Sequence, residues 1–216
     1  MWYDCTQGMG HNASAVLSLL KKTYPHAHIA LQYATPWELL VAVILSAQCT
    51  DKMVNKVTEK LFKKYPSVTD YLHADLSEFE KDIKSTGFYH NKAKHILAAA
   101  HATSGQIPKT MDEMLTIPGV GRKTANVVLG NAYGIVVGIA VDTHVARLSR
   151  RLHLVDPSAT DPVKIERELM SVIPRKDWFF LTYLLIDHGR ACCRAKNPDC
   201  AGCVLRNLCP SSRLQA

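Results

Sequence analysis

Three observations predict an all-α protein. Helix-start signatures recur along the chain, each an N-capping residue followed three positions later by glutamate. Apolar residues between them fall at helical spacing. The one strand-like run, "IVVGIAV" from Ile135 to Val141, does not alternate, and a lone strand would have nothing to pair with. With 216 residues and 47 % hydrophobic content, the chain can fill one large domain or two small ones.

The elements follow in order. Thr35-Pro36-Trp37-Glu38 places a cap, a proline at the first helical position and a glutamate before the apolar run Leu39 to Leu45, so a buried helix is expected there. Val54, Val57, Leu61 and Phe62 give a helix from Asp51 to Lys64, and another is expected from about Asn91 to Ser104. Asp75-Leu76-Ser77-Glu78 and Thr110-Met111-Asp112-Glu113 start two more, with Gly87 and Gly119 as stops downstream. The run 135–141 then reads as a buried connector at a domain crossing. Val145 to Leu152, Pro162 to Val172 and Trp178 to Gly189 complete the helices.

Charge points to the partner. Lys plus Arg exceed Asp plus Glu by 26 to 19, for a net charge of +7, which favours an anionic partner, nucleic acid first. No secretory signal and no run of about 18 apolar residues is found, so a soluble intracellular protein without membrane contact is expected.

Five of the seven cysteines lie within the last 25 residues. Such clustering reads as metal binding rather than as a disulfide framework. Cys193, Cys200, Cys203 and Cys209 form C-x6-C-x2-C-x5-C, a four-thiolate set that suits zinc and iron–sulfur alike. Cys192 is an adjacent competitor, while Cys5 and Cys49 read as unpaired thiols.

The segment "IPGVGRKTANVVL" is the most specific. Gly119-Val120-Gly121 fits a plain turn between helices, the glycines serving only to permit positive φ. A Gly-x-Gly turn opening onto a helix also presents backbone N–H groups and a helix N-terminus to a phosphate, with Arg122 at its mouth. Downstream, Asp142 in "AVDTHVARL" reads as the N-cap of the next helix.

Together with "LLVAVILSAQCTDKMVN", "TGFYHNKAKHI", "VDTHVARL", "IDHGR" and the cysteine pattern, in this order over most of residues 35–210, that segment resembles the helix-hairpin-helix DNA glycosylases of the endonuclease III type. The resemblance implies a two-domain fold with DNA bound across the cleft. A six-helix domain at 29–135 would contain the hairpin, and residues 1–28 with 136–216 would form an iron–sulfur cluster domain. It implies a monomer acting on double-stranded DNA that carries damaged pyrimidines or abasic sites, located in the cytoplasm with the nucleoid if the source is prokaryotic.

It also assigns roles. Lys123 attacks C1′ of the damaged nucleotide, displaces the base and forms a Schiff base that eliminates the 3′ phosphate, with Asp142 as the assisting carboxylate. A lysine of ordinary pKa, about 10.4, has only about one free amine in a few thousand at neutral pH, so Lys123 is expected in a partly dehydrated cleft that lowers it. The spacer of 18 residues between Lys123 and Asp142 is one longer than the family pattern, and a bulge in "GIVVGIA" would absorb the difference. The four cysteines would hold a [4Fe-4S] cluster, with Arg194 and Lys196 of the same basic segment meeting DNA phosphates. Gln48 is expected to fill the space left by the extruded nucleotide and Phe88 to wedge beside the opposite base, although a capping Gln48 or a core Phe88 would suit the sequence as well. His144 would touch a phosphate or hydrogen-bond to the backbone. Two competitors stay open: a mismatch-specific glycosylase of the same fold, which generally lacks this lysine, and a non-catalytic DNA-binding or redox-sensing module.

Overall fold

The structure is a computed structural model and describes residues 12–214. Its helices are α1 (Ala13–Thr23), α2 (Pro36–Leu45), α3 (Asp51–Lys64), α4 (Val68–Leu72), α5 (Leu76–Ile83), α6 (Tyr89–Thr103), α7 (Met111–Leu115), α8 (Arg122–Tyr133), α9 (Thr143–Arg151), α10 (Pro162–Val172) and α11 (Trp178–Ala191). Two 3-10 turns, Lys84–Thr86 and Arg175–Asp177, join them. No strand occurs among the described residues, and no helix there is long and apolar enough to cross a membrane. Cys5 lies outside the described residues. The described residues divide into two compact units, one of residues 30–137 and one that joins residues 12–29 with residues 138–214.

Residues 30–137 are built around α2. Every side chain from Leu39 to Leu45 is buried, because the helix is enclosed by α3, α6 and α8 rather than lying on a surface. Truncating one of these leucines to alanine would cost about 2–5 kcal/mol. Thr35 caps α2 as the sequence indicates, its hydroxyl accepting the Glu38 N–H at 3.1 Å. Thr50, Asp75 and Thr110 cap α3, α5 and α7 in the same way. Trp37, Tyr65, Tyr71 and Phe79 form an edge-to-face aromatic cluster, with Trp37 and Tyr71 centroids 5.2 Å apart. Counting the two single-turn segments α4 and α7, this unit has seven helices where the resemblance implies six.

Gly119 does not itself end α7, since Thr116 is the C-cap. Gly119 instead turns the chain at φ +80° inside the connection to α8. The run 135–141 is neither strand nor helix, and the division between the units falls within it.

In the other unit, Val16, Leu17 and Leu20 of α1, Val145 and Leu148 of α9, Ile165 and Leu169 of α10, and Leu181, Leu184 and Leu185 of α11 form one core. Leu205, from the cysteine-rich segment, joins it and gives that segment an apolar anchor. Helix α9 begins two residues before the expected Val145, because Asp142 serves as its cap.

Candidate active site and metal centre

In the unit of residues 30–137, α7, the turn and α8 form the expected hairpin. Its two glycines differ in what demands them. A Cβ on Gly119 would sit 2.7 Å from the His95 Cβ of α6, so that glycine is required by a close approach as well as by its φ. A Cβ on Gly121 would meet nothing within 4 Å, and its backbone is extended at φ −101°. Nothing in the fold requires a glycine there. Val120 has a buried side chain, and its N–H is donated to the Ile117 carbonyl at 3.1 Å. That bond closes the turn.

Gly121 is the N-cap of α8, so no side chain caps the helix at the turn bearing Arg122 and Lys123. Both residues are half-buried. Lys123 and Thr124 line a cavity of about 430 Å³ whose walls also come from Val43, Ile44, Ala47, Gln48, Phe88, Asn91, Lys92, His95 and Gly119. The hairpin lysine thus shares one concave space with both residues expected to enter the DNA stack.

Those two residues share a backbone peculiarity. Gln48 (φ 51°) and Phe88 (φ 49°) both lie in the left-handed region, where a side-chain-bearing residue costs about 1–3 kcal/mol. Gln48 is exposed and caps nothing, since Ser46 ends α2 and Thr50 starts α3. Phe88 is 64 % exposed, which removes the core reading for it.

Lys92 is the residue that sequence reasoning missed here. It is only 4 % exposed, and its ammonium donates to the Leu45 and Thr86 carbonyls, each at 2.8 Å. Burial pushes its pKa down from the ordinary lysine value. No feature of one sequence separates this buried lysine from its exposed neighbour Lys94.

In the other unit, Asp142 caps α9, its Oδ1 accepting the Val145 N–H at 2.7 Å. One oxygen in a cap leaves an ionised carboxylate with acceptor capacity on the other. The His144 Nδ1 lies 3.3 Å from Nη2 of Arg147. A guanidinium can only donate, so Nδ1 is the acceptor in this contact. His144 and Arg147 pack so closely on α11 that a Cβ on Gly189 would fall 2.8 Å from Nδ1.

The cysteine segment follows α11. Cys192, Cys193, Cys200, Cys203 and Cys209 all line one cavity of about 260 Å³, walled by Leu148, Leu152 and Leu205. Arg151 of α9 braces it, its Nη1 donating to Cys193 Sγ at 3.3 Å and to the Arg194 carbonyl at 2.9 Å, and its Nη2 to the Ala195 carbonyl at 3.1 Å. Arg147 adds a bond to the Cys193 carbonyl at 3.1 Å. Burial pushes the Cys209 thiol up, and burial with the neighbouring Cys203 pushes Cys192 up to about 12. Metal ligands of this kind are thiolates, and five cysteines lining one cavity fit a multi-thiolate metal centre.

His188, Cys192 and Cys203 also bring ligand atoms within 4.8 Å of one another. His188 is buried, with Nδ1 3.0 Å from the Tyr24 hydroxyl and Nε2 3.6 Å from Cys203 Sγ, and burial holds its pKa below the ordinary histidine value. The "IDHGR" motif contains it, but its inward direction is not legible from the motif. Arg194 and Lys196 are exposed on the same segment.

A hairpin presenting a half-buried lysine, with a cysteine cluster and only helices among the described residues, defines a class. Residues 41–175 match the model of the HhH-GPD superfamily of base excision DNA repair proteins, and the chain belongs to that superfamily, in its endonuclease III branch. It is 52 % identical over 205 residues to endonuclease III of Synechocystis sp., covering 93 % of both chains. Endonuclease III of Bacillus subtilis is 47 % identical over 190 residues, covering 86 % of both. Among solved structures, a trapped covalent intermediate of endonuclease III with DNA superimposes with a TM-score of 0.89 at 42 % identity, covering 94 % of this chain and 96 % of that one.

Proposed function

We propose that the chain is a bifunctional DNA glycosylase and abasic-site lyase that removes oxidised pyrimidines from duplex DNA in base excision repair. The observation that carries this reading is Lys123, half-buried at the first turn of α8 and lining one cavity with Gln48 and Phe88. A neutral Lys123 amine attacks C1′ of the extruded nucleotide. The glycosidic electron pair leaves with the base, which takes up a proton, and the opened sugar becomes a Schiff base. Loss of a C2′ proton then expels the 3′ phosphate, and water frees the enzyme.

Removing water from a lysine favours its neutral form, so partial burial works in the direction the attack needs. A helix N-terminus adds about 0.3–1 kcal/mol in the same sense, too little alone. Asp142 supplies the ionised carboxylate that stabilises positive charge developing at C1′.

Gly119 shapes the turn, while Gly121 gives the space through which a phosphate backbone reaches the amides at the start of α8. Gln48 fills the vacated stack and Phe88 wedges beside the opposite base. His144, Arg194 and Lys196 meet phosphates. Cys193, Cys200, Cys203 and Cys209 hold a [4Fe-4S] cluster, which when bound supplies four iron–thiolate bonds that fix the segment bearing Arg194 and Lys196. Iron and sulfide in equal amounts in the purified protein would agree with this, and zinc in their place would overturn it. Residues 29–135 are the hairpin-containing domain of this family, and residues 1–28 with 136–216 its cluster domain. The protein works as a monomer and, in a prokaryotic source, in the cytoplasm at the nucleoid.

A duplex with one thymine glycol tests the activity: base release with strand cleavage at the lesion is expected, and a G·T mismatch duplex should stay intact. Base release with an uncut strand would make this a monofunctional glycosylase, and binding without release would make it a recognition module.

A further inference from the structure

Lys92 is the one lysine that this fold buries almost completely, among the residues described, and the reaction as derived above leaves it without a task. It stands in the first turn of α6, and helical side chains lean back toward the helix N-terminus. Its ammonium therefore reaches past its own helix. One bond goes to the Thr86 carbonyl, at the end of the 3-10 turn, and the other to the Leu45 carbonyl, the last residue of α2.

Each of these carbonyls begins a loop. Three residues after Leu45 stands Gln48, and two residues after Thr86 stands Phe88, both left-handed and both lining the cavity of Lys123. One buried cation thus ties together the roots of two loops that are 47 and 6 residues from it in sequence. Left-handed backbone at non-glycine residues persists only where its surroundings hold it. Carbonyls at helix ends lack intrahelical donors, so the ammonium also satisfies groups the helices cannot.

We propose that Lys92 is a positioning residue for nucleotide extrusion, clamping the Gln48 and Phe88 loops at a fixed spacing so that both side chains enter the duplex together. This rests on the reading of Gln48 and Phe88 as the stack-entering residues. Lys92 itself touches no reacting atom. Loss of the clamp affects only the step that opens a duplex, whereas a single strand has no partner base to wedge against and no stacked gap to fill.

The test compares borohydride trapping on a duplex abasic site with trapping on the same site in single-stranded DNA, for wild type, Lys92→Met, Lys92→Gln, Gln48→Ala and Phe88→Ala. Lys92→Met keeps the stem and removes the donors, and hydrogen bonds from a charged donor are strong enough that the duplex to single-strand ratio should fall by about tenfold or more. Lys92→Gln keeps a neutral donor and should fall between Lys92→Met and wild type. Gln48→Ala and Phe88→Ala should lower the same ratio, and Lys92→Met should add little on top of the pair, because coupled residues are not additive.

If Gln48→Ala and Phe88→Ala lower the ratio while Lys92→Met does not, the clamp is overturned and the reading of the loops stands. A ratio that none of the variants changes overturns both. Equal losses on the two substrates, or failure of both Lys92 variants to fold, would make Lys92 a purely structural residue and would also overturn the proposal.

Discussion

The two glycines of the hairpin separate what the fold needs from what DNA needs. Gly119→Ala forces a side chain into a φ of +80° and within 2.7 Å of His95, so it should lower stability by about 1–3 kcal/mol, read from the urea midpoint. Gly121→Ala meets open space at an extended backbone, and its stability change should stay within about 1 kcal/mol while affinity for duplex DNA falls. Equal effects of the two variants on folding would show that Gly121 also serves the fold. Phe88 belongs at the same scale: an aromatic ring 64 % exposed on left-handed backbone is a cost without benefit to the folded chain alone.

Helix caps carry the next scale. Thr35→Ala removes the acceptor of the Glu38 N–H and should cost about 1 kcal/mol, measurable as a shift in the denaturation midpoint without a change in slope. Asp70 and Asp156 give the acid behaviour. The Ser67 hydroxyl, then the Ser67 N–H, holds the Asp70 carboxyl below its ordinary 3.8, and the Ser158 N–H, then the Ser158 hydroxyl, does the same for Asp156. A lowered folded pKa means that the unfolded chain binds the proton first as pH drops. Their stabilisation is therefore complete above about 3.8 and is lost as pH falls through the lower folded values. Urea titrations from pH 5 to pH 2 should show Asp70→Asn and wild type converging at the acid end. The elements were largely legible because caps such as Thr35, Thr50, Asp75 and Thr110 write helix starts locally. The start of α9 falls two residues before the first apolar position, Val145, because the Asp142 cap and not the apolar spacing sets it. Lys92, His188 and Arg151 escaped because their importance comes from partners 47, 15 and 42 residues away, and no local pattern encodes such contacts.

For the whole molecule, the net charge of +7 and the exposed Arg194 and Lys196 predict binding that weakens steeply with salt. Replacing both with glutamine should lower the slope of log affinity against log salt by about 2 and leave lesion preference unchanged. Oxidative removal of the metal centre should expose amides of residues 192–209 to hydrogen exchange while α2 and α8 keep their protection, since that segment is then held only by the Leu205 anchor, its neighbouring core contacts and the bonds from Arg147 and Arg151. The most direct measurement is borohydride trapping on a duplex with one thymine glycol, comparing wild type with Lys123→Ala. A covalent protein–DNA adduct in the wild type, lost in Lys123→Ala although that variant still binds the duplex, is the expected result. An adduct of equal yield from Lys123→Ala, or none from iron-loaded wild-type protein that binds the duplex, would contradict Lys123 as the attacking amine.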